Sequence, residues 1–184
     1  YFLLHRLIKQ EDKENAMFFS KMMGKYFEYI TKNGSDDEYL KTESEHARNY
    51  ATIQSMRFTG RIKVDFNELP ETMAEIQVPR LILQPILENA FSHGLENIEA
   101  EGIIKILFDT YTQEDHSGIL ITIEDNGNRL SDIKITQLQK LLSEETNNKK
   151  VTALLNIHKR LLLRFNHKGG LSISRSSFGG MKIQ

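Results

Sequence analysis

The chain has 184 residues, 39% of them hydrophobic and 27% charged, with a formal net charge of −1 and no cysteine. That length carries one ordinary domain plus an appendage, and the apolar share is enough for a core. The near-neutral charge argues against a dedicated nucleic-acid binder, which presents a basic face. The missing cysteines exclude disulfides and thiolate metal sites and fit a reducing compartment. No apolar run approaches the roughly 18 residues of a membrane span, and no signal peptide is read. The chain opens on Tyr1 rather than Met. It is therefore expected to be a piece of a longer protein, with any anchor upstream.

Residues 1–33 read as helical. Phe2, Leu3, Leu7, Met17, Phe18, Met22, Met23, Phe27 and Ile30 form a stripe broad enough to need a partner helix, in a hairpin or a dimeric bundle. Asn33-Gly34-Ser35 stops it, with Gly34 as a C-terminal cap. Thr42-x-x-Glu45 reads as a capping box for a second helix running to about Phe58. Ala47, Tyr50, Ala51, Ile53, Gln54 and Phe58 give that helix its inward face, and Thr59-Gly60 closes it.

After Gly60 the pattern turns to short alternating runs. Ile62, Val64 and Phe66 predict a half-buried strand, and Ile76–Val78 a shorter one. The next stretch, Pro79–Gly94, has apolar residues at helical spacing: Leu81, Leu83, Ile86, Leu87, Ala90 and Phe91. Pro79 is suited to its first turn, while Pro85 is expected to kink it. Ile104/Ile106/Phe108 and Ile119/Ile121/Ile123 predict two strands joined by a turn at Asp115–Gly118. Residues 130–145 read as a helix around Ile133, Leu138, Leu141 and Leu142. A polar loop, Glu144–Lys150, leads to a last helix over 151–166 and a hairpin of Leu171/Ile173 with Met181/Ile183. Strands that follow one another as hairpins, with helices between, predict an α+β fold: one mixed sheet with helices on one face. A boundary near Gly60 divides the chain into residues 1–59 and 60–184.

Three polar residues interrupt the apolar pattern of Pro79–Gly94. Asn89 and His93 lie four apart and share a face, with Glu88 one step round. A carboxylate, an amide oxygen and an imidazole within two turns suit a hydrated Mg²⁺ carrying phosphates. On spacing alone a polar helix face in water is the first reading. Glu124-Asp125-Asn126-Gly127 follows a strand, where Asn-Gly is also a strong turn signal by itself. His46, His116, His158 and His167 show no metal spacing and read as structural or solvated.

The run L-Q-P-x-x-E-N-A-x-x-H-G, Leu83 to Gly94, resembles the N-box of sensor histidine kinases. The nearest subgroup is that of the autolysin-regulating sensors, within the GHKL ATPases. Asp125-Asn126-Gly127 matches the D-N-G box, R-N-Y-x-x-I-Q-x-x-R-F from Arg48 to Phe58 matches the linker helix, and Gly179-Gly180 matches the terminal glycine pair. The resemblance covers nearly the whole chain. It implies an N-terminal helical dimerisation segment, residues 1–59, followed by a GHKL (Bergerat) α/β sandwich that binds ATP, residues 60–184. Asn89 would coordinate Mg²⁺ and Glu88 would orient or deprotonate the acceptor, with His93 near the phosphates. Asp125 would accept from the adenine amino group, with Gly127, Asn156 and Gly180 completing the cofactor site.

The family reading implies autophosphorylation on histidine, phosphotransfer to a response regulator protein, and a homodimer. It implies the cytoplasmic part of an inner or plasma membrane protein, reaching the membrane only through upstream segments. Departures from the pattern are specific. Arg129 replaces the second glycine of D-N-G-x-G, and Val151 and Ala153 replace both lid glycines of G-I-G-L-x-N-x-x-x-R-L. Tyr1 stands where P-H-F-L-F-N-x-L has its acceptor histidine, and His5 is either a displaced acceptor or a surface histidine. A degenerate kinase serving as a binding scaffold is the alternative, and another GHKL ATPase a third.

Overall fold

The computed structural model describes residues 2–32, 34–95, 98, 101–113, 116–128, 131–143 and 152–184. Tyr1, Arg129, Val151, the loop 144–150, the turn residue Asp115 and the side chains of His93 and His116 lie outside the described residues.

The N-terminal helical stretch is two helices, α1 (Phe2–Lys9) and α2 (Lys13–Thr31). The chain breaks at Glu11, whose φ is 57°, and Asp12 restarts it by accepting from the Asn15 amide at 3.2 Å. Gly34 does not cap α2, because Lys32 already leaves it in extended conformation. Leu3 and Leu7 of α1, Ala16 and Phe19 of α2 and Ile53 of α3 (Leu40–Arg57) bury one another in a small cluster.

The capping box expected at Thr42 is not used. α3 starts at Leu40, with Tyr39 before it giving no side-chain cap, so Thr42 and Glu45 lie inside the helix. A two-stranded sheet not foreseen from the pattern holds this start: β1 (Asp37–Tyr39) pairs antiparallel with β3 (Gln77–Pro79). Pro79 therefore ends a strand rather than opening a helix. Ala47, Tyr50 and Ala51 on the inward face of α3 lie in the main core with Ile62, Leu87, Ile104 and Ile106.

The main sheet has the order β2 (Ile62–Phe66), β4 (Gly102–Gln113), β5 (His116–Asp125), β7 (Met181–Ile183), β6 (Ile173–Arg175). β2 pairs parallel with β4 and the remaining pairs are antiparallel, so the sheet is mixed as expected. The β4–β5 hairpin is longer than the alternation suggested, pairing out to Gln113↔His116. Ile104, Ile106, Phe108, Ile123 and Ile183 bury their side chains with those of α3, α4 (Leu83–Asn89), α5 (Asp132–Ser143) and α6 (Ala153–Arg164). On α5 Ile135 is buried and Leu138 and Leu142 pack against the core, while Ile133 is 73% exposed. Among the described residues no helix is long and apolar enough to cross a membrane.

Candidate active site

The helix carrying Glu88 and Asn89 has no start signal of its own: Ile82 precedes α4 and caps nothing. The missing acceptor comes from α3. Glu43, fully buried, accepts from the backbone amides of Leu81 (2.9 Å), Ile82 (2.9 Å) and Leu83 (3.0 Å), and from the Tyr29 hydroxyl at 2.5 Å. One carboxyl group thereby satisfies two of the amides that a helix start leaves open, those of Ile82 and Leu83, and also binds the amide of Leu81, whose φ is 56°. Burial beside Glu43 pushes the Tyr29 hydroxyl well above the ordinary tyrosine range. Pro85 is the third residue of α4, where its missing N–H has no partner to lose, so the expected kink does not arise. After Asn89 the helix widens into a π-helical turn, Ala90–Gly94, closed by Leu95 N–H donating to the Ala90 carbonyl at 3.1 Å.

Glu88 is exposed and Asn89 half-buried at the end of α4, and the backbone of His93 lies in the widened turn, which packs against β5. Glu88 is held: the Gln84 amide donates to its Oε1 at 2.8 Å.

At the C-terminal end of β5, Asp125 is 2% exposed. Burial raises its carboxyl above the ordinary carboxylate range, while the amides of Gly127 and Met181 pull the other way. The Gly127 amide donates to Asp125 Oδ1 at 2.8 Å. Asn126 turns aside to pin the start of β4, accepting from the Ile103 amide and donating to the Glu101 carbonyl, each at 2.8 Å. Gly180 lies directly against Asp125, where any β-carbon would collide. Asp125, Gly127 and Gly180 are thus brought together by the β5–β7 pairing.

Ala153 opens α6, where Thr152 caps the helix by accepting from the Leu155 amide at 3.2 Å. Asn156 lies exposed on its first turn. His158 is half-buried and accepts from the Leu171 amide through Nδ1 at 2.9 Å; burial lowers its pKa. His46 is buried and structural, and His5 is exposed on α1.

A cavity of about 740 Å³ opens between α4, α6 and β5, lined by Ile82, Ile86, Ile119, Ile157, Leu161 and Leu171. It sits towards the opposite end of β5 from Asp125, and its walls are mostly apolar, with Lys168, Ser172 and Gln184 among the polar ones. No cluster of three His, Cys, Asp or Glu forms a metal cage among the described residues. Residues Asn89 and Asp125 fit a nucleotide that brings its own Mg²⁺. Mg²⁺ is commonly held by one protein oxygen, waters and substrate phosphates, and the buried Asp125, with two amides on it, keeps acceptor capacity for a purine amine. Gly180, a position that only a residue without a β-carbon can fill so close to Asp125, belongs to the same corner. Sequence reasoning missed Glu43 and Gln84. Glu43 sits in a run of charges, Lys41 to Glu45, that reads as solvated. Gln84 was visible only as a motif letter.

A family model described as Histidine kinase matches residues 3–62. The chain is 25% identical over 169 residues to the sensor histidine kinase BtsS of Escherichia coli, covering 92% of this chain and 27% of that protein. It is 27% identical over 183 residues to the sensor protein LytS of Oceanobacillus iheyensis, covering 98% of this chain and 30% of that protein. The chain thus spans less than a third of the length of these relatives. In fold it is similar to the histidine kinase domain of the blue-light activated histidine kinase of Erythrobacter litoralis, with a TM-score of 0.52 and 15% identity over 96% of this chain and 81% of that one. The resemblance to the sensor histidine kinases, autolysin sensors among them, stands, as does the α+β fold with its mixed sheet.

Proposed function

We propose that this relative of the sensor histidine kinases is the cytoplasmic kinase region of a two-component sensor. In this reading, residues 60–184 bind ATP with Mg²⁺ and residues 1–59 form a dimerising, acceptor-like segment, with α3 packed against both. The membrane would be reached only through upstream segments. The observation that carries it is the corner at Asp125: a buried carboxyl at a strand end, backed by the Gly127 amide and closely packed by Gly180.

Asp125 accepts a hydrogen bond from the purine amine, and Gly127 and Gly180 let backbone pass close to the ring. Asn89 would hold Mg²⁺ through its amide oxygen, with His93 and Asn156 assigned to the phosphates by the family resemblance. The ion, when bound, neutralises phosphate charge. Glu88 orients the acceptor imidazole or takes its proton, which requires a carboxylate fixed within hydrogen-bond reach. The phosphoryl group then passes to a response regulator.

One observation favours the rival reading, a degenerate kinase that acts as a scaffold. Ala153 stands in a conventional capped helix start where the family has a lid glycine, and Val151, Arg129 and Tyr1 also depart from the family pattern in sequence. Titration of ATP with and without Mg²⁺, then labelling with radioactive ATP, separates the two. Wild-type protein should form no phosphohistidine at position 1. Tyr1→His alone should not suffice, and combining it with Val151→Gly and Ala153→Gly should give more label than the separate repairs summed. Strong labelling of His5 in unmodified protein would refute the scaffold. Absence of any nucleotide binding would refute the kinase.

A further inference from the structure

A chain of buried polar side chains runs from the N-terminal helices to Glu88. Gln84, on the buried face of α4, contacts three partners. Its Nε2 lies 2.8 Å from Glu88 Oε1 and 3.1 Å from the Tyr26 hydroxyl of α2, and its Oε1 lies 2.7 Å from His46 Nε2 of α3. Chemistry fixes every direction. A carboxylate only accepts, so the Gln84 amide nitrogen must face Glu88 and its oxygen must face His46. His46 Nε2 therefore carries the proton and donates. Its Nδ1 is buried with no partner among the described residues, as suits an unprotonated ring nitrogen in an apolar stack. That stack is tight: the His46 ring lies 4.0 Å from the ring centre of Tyr29 and 5.4 Å from that of Tyr26. Tyr29 is in turn tied to Glu43, which sets the start of α4.

We infer that Gln84 is the positioning residue for Glu88, and that His46 and Tyr26 set its orientation, so that the placement of the Glu88 carboxylate depends on how α2 and α3 dock on α4. An exposed glutamate on a helix end otherwise samples several rotamers, and a group required within hydrogen-bond reach of an acceptor loses rate when it wanders. Gln84 removes that freedom from the buried side while the other carboxylate oxygen stays open. The inference rests on the reading of Glu88 given above as regards turnover. The geometry of the relay does not depend on it.

The experiment has two arms on the full chain. In the first, NMR follows the ¹³Cδ resonance of Glu88 and the ring nitrogens of His46. Wild type should show the Nε2–H tautomer, and Gln84→Met should shift the Glu88 carboxyl and alter the His46 ring while the fold persists. Tyr26→Phe should shift the Glu88 resonance less, because only one amide contact changes. An unmoved Glu88 resonance in Gln84→Met, or an Nδ1–H tautomer in wild type, overturns the relay. In the second arm, ATP-dependent labelling is measured at saturating nucleotide beside the affinity for Mg·ATP, in the background repaired by Tyr1→His, Val151→Gly and Ala153→Gly. Gln84→Met should keep affinity within about twofold and slow labelling about tenfold, and the double variant with Glu88→Gln should be no slower than Glu88→Gln alone. If Glu88→Gln slows labelling and Gln84→Met does not, the positioning role is wrong. If Glu88→Gln has no effect in the repaired background, or that background does not label, the catalytic reading of Glu88 fails and the first arm alone decides the relay.

Discussion

Gly180 packs so closely on Asp125 that a β-carbon there would meet both the backbone carbonyl and the carboxyl oxygen of that residue. Backbone cannot swing away as the tip of a side chain can. Gly180→Ala should therefore destabilise the fold by about 1–3 kcal/mol, the usual cost of overpacking. Urea unfolding reads the loss, and a parallel titration should show weaker nucleotide binding. The neighbouring Gly179→Ala also strains the backbone, at a φ of 100°, but meets nothing within 4 Å. It should leave nucleotide affinity nearer wild type at equal folded fraction.

Asp125 itself sets function against stability. Its carboxyl titrates above the ordinary range because it is buried. A group with a raised native pKa contributes stability that is present below its unfolded pKa and lost as pH rises through the native one. Asp125→Asn should thus gain on wild type in melting temperature as pH rises from below the ordinary carboxylate range towards neutrality. The same substitution should weaken ATP binding at least severalfold, since a charge-assisted hydrogen bond contributes about 1.5–3 kcal/mol. A stability difference that is flat with pH, or equal ATP affinity in calorimetry, would count against this assignment.

On the acid side two histidines act together. Burial lowers the pKa of both His46 and His158 in the native state. The unfolded chain then binds protons more readily, so stability is full above the ordinary histidine range and falls as pH drops through it towards the native values. Thermal unfolding between pH 7.5 and pH 5, the span bracketing the histidine reference value of about 6.5, should show this loss. His158→Gln and His46→Gln should each flatten the curve; a wild-type profile with no slope there would contradict it.

The helices α1 and α2 leave apolar side chains uncovered, Phe2 at 94%, Met17 at 74% and Phe18 at 43% exposed. An apolar surface of this kind calls for a partner. Sedimentation at tens of micromolar should show a dimer. Met17→Lys with Phe18→Lys should weaken association about tenfold or more, as loss of buried anchors does. A monomer at every concentration would remove the proposal.

Much of the C-terminal part, residues 60–184, was legible in the sequence because its signals are local. Ile62–Phe66, Ile104–Phe108 and Ile119–Ile123 alternate with period two, and each is a strand. The corner at Asp125 was readable as a motif, and its close contact with Gly180 only from the fold. What local reasoning misjudged were helix boundaries. Thr42 and Glu45 have the spacing of a capping box, yet β1 pairing brings α3 to Leu40 before they are reached. Pro79 suits a first turn, yet the ladder to Asp37 takes it as strand. The Glu11 break was hidden because the apolar stripe continues on both sides, and Asp12 carries the only local signal for it. Tertiary partners overrode propensity in the first two cases.

The most recognisable stretch of the chain does not encode its own beginning. Three consecutive amides leading into its helix, those of Leu81, Ile82 and Leu83, are answered by Glu43, 38 to 40 positions earlier. A synthetic peptide spanning Pro79–Gly94 should accordingly show little helix in water, since short helices without caps rarely nucleate. In the refolding chain the segment would order only after α3 has docked, which makes it a late-forming element. Glu43 and the Leu83–Gly94 motif are then two halves of one signal, and a relative that keeps the motif without the distant carboxyl would need another way to begin the helix.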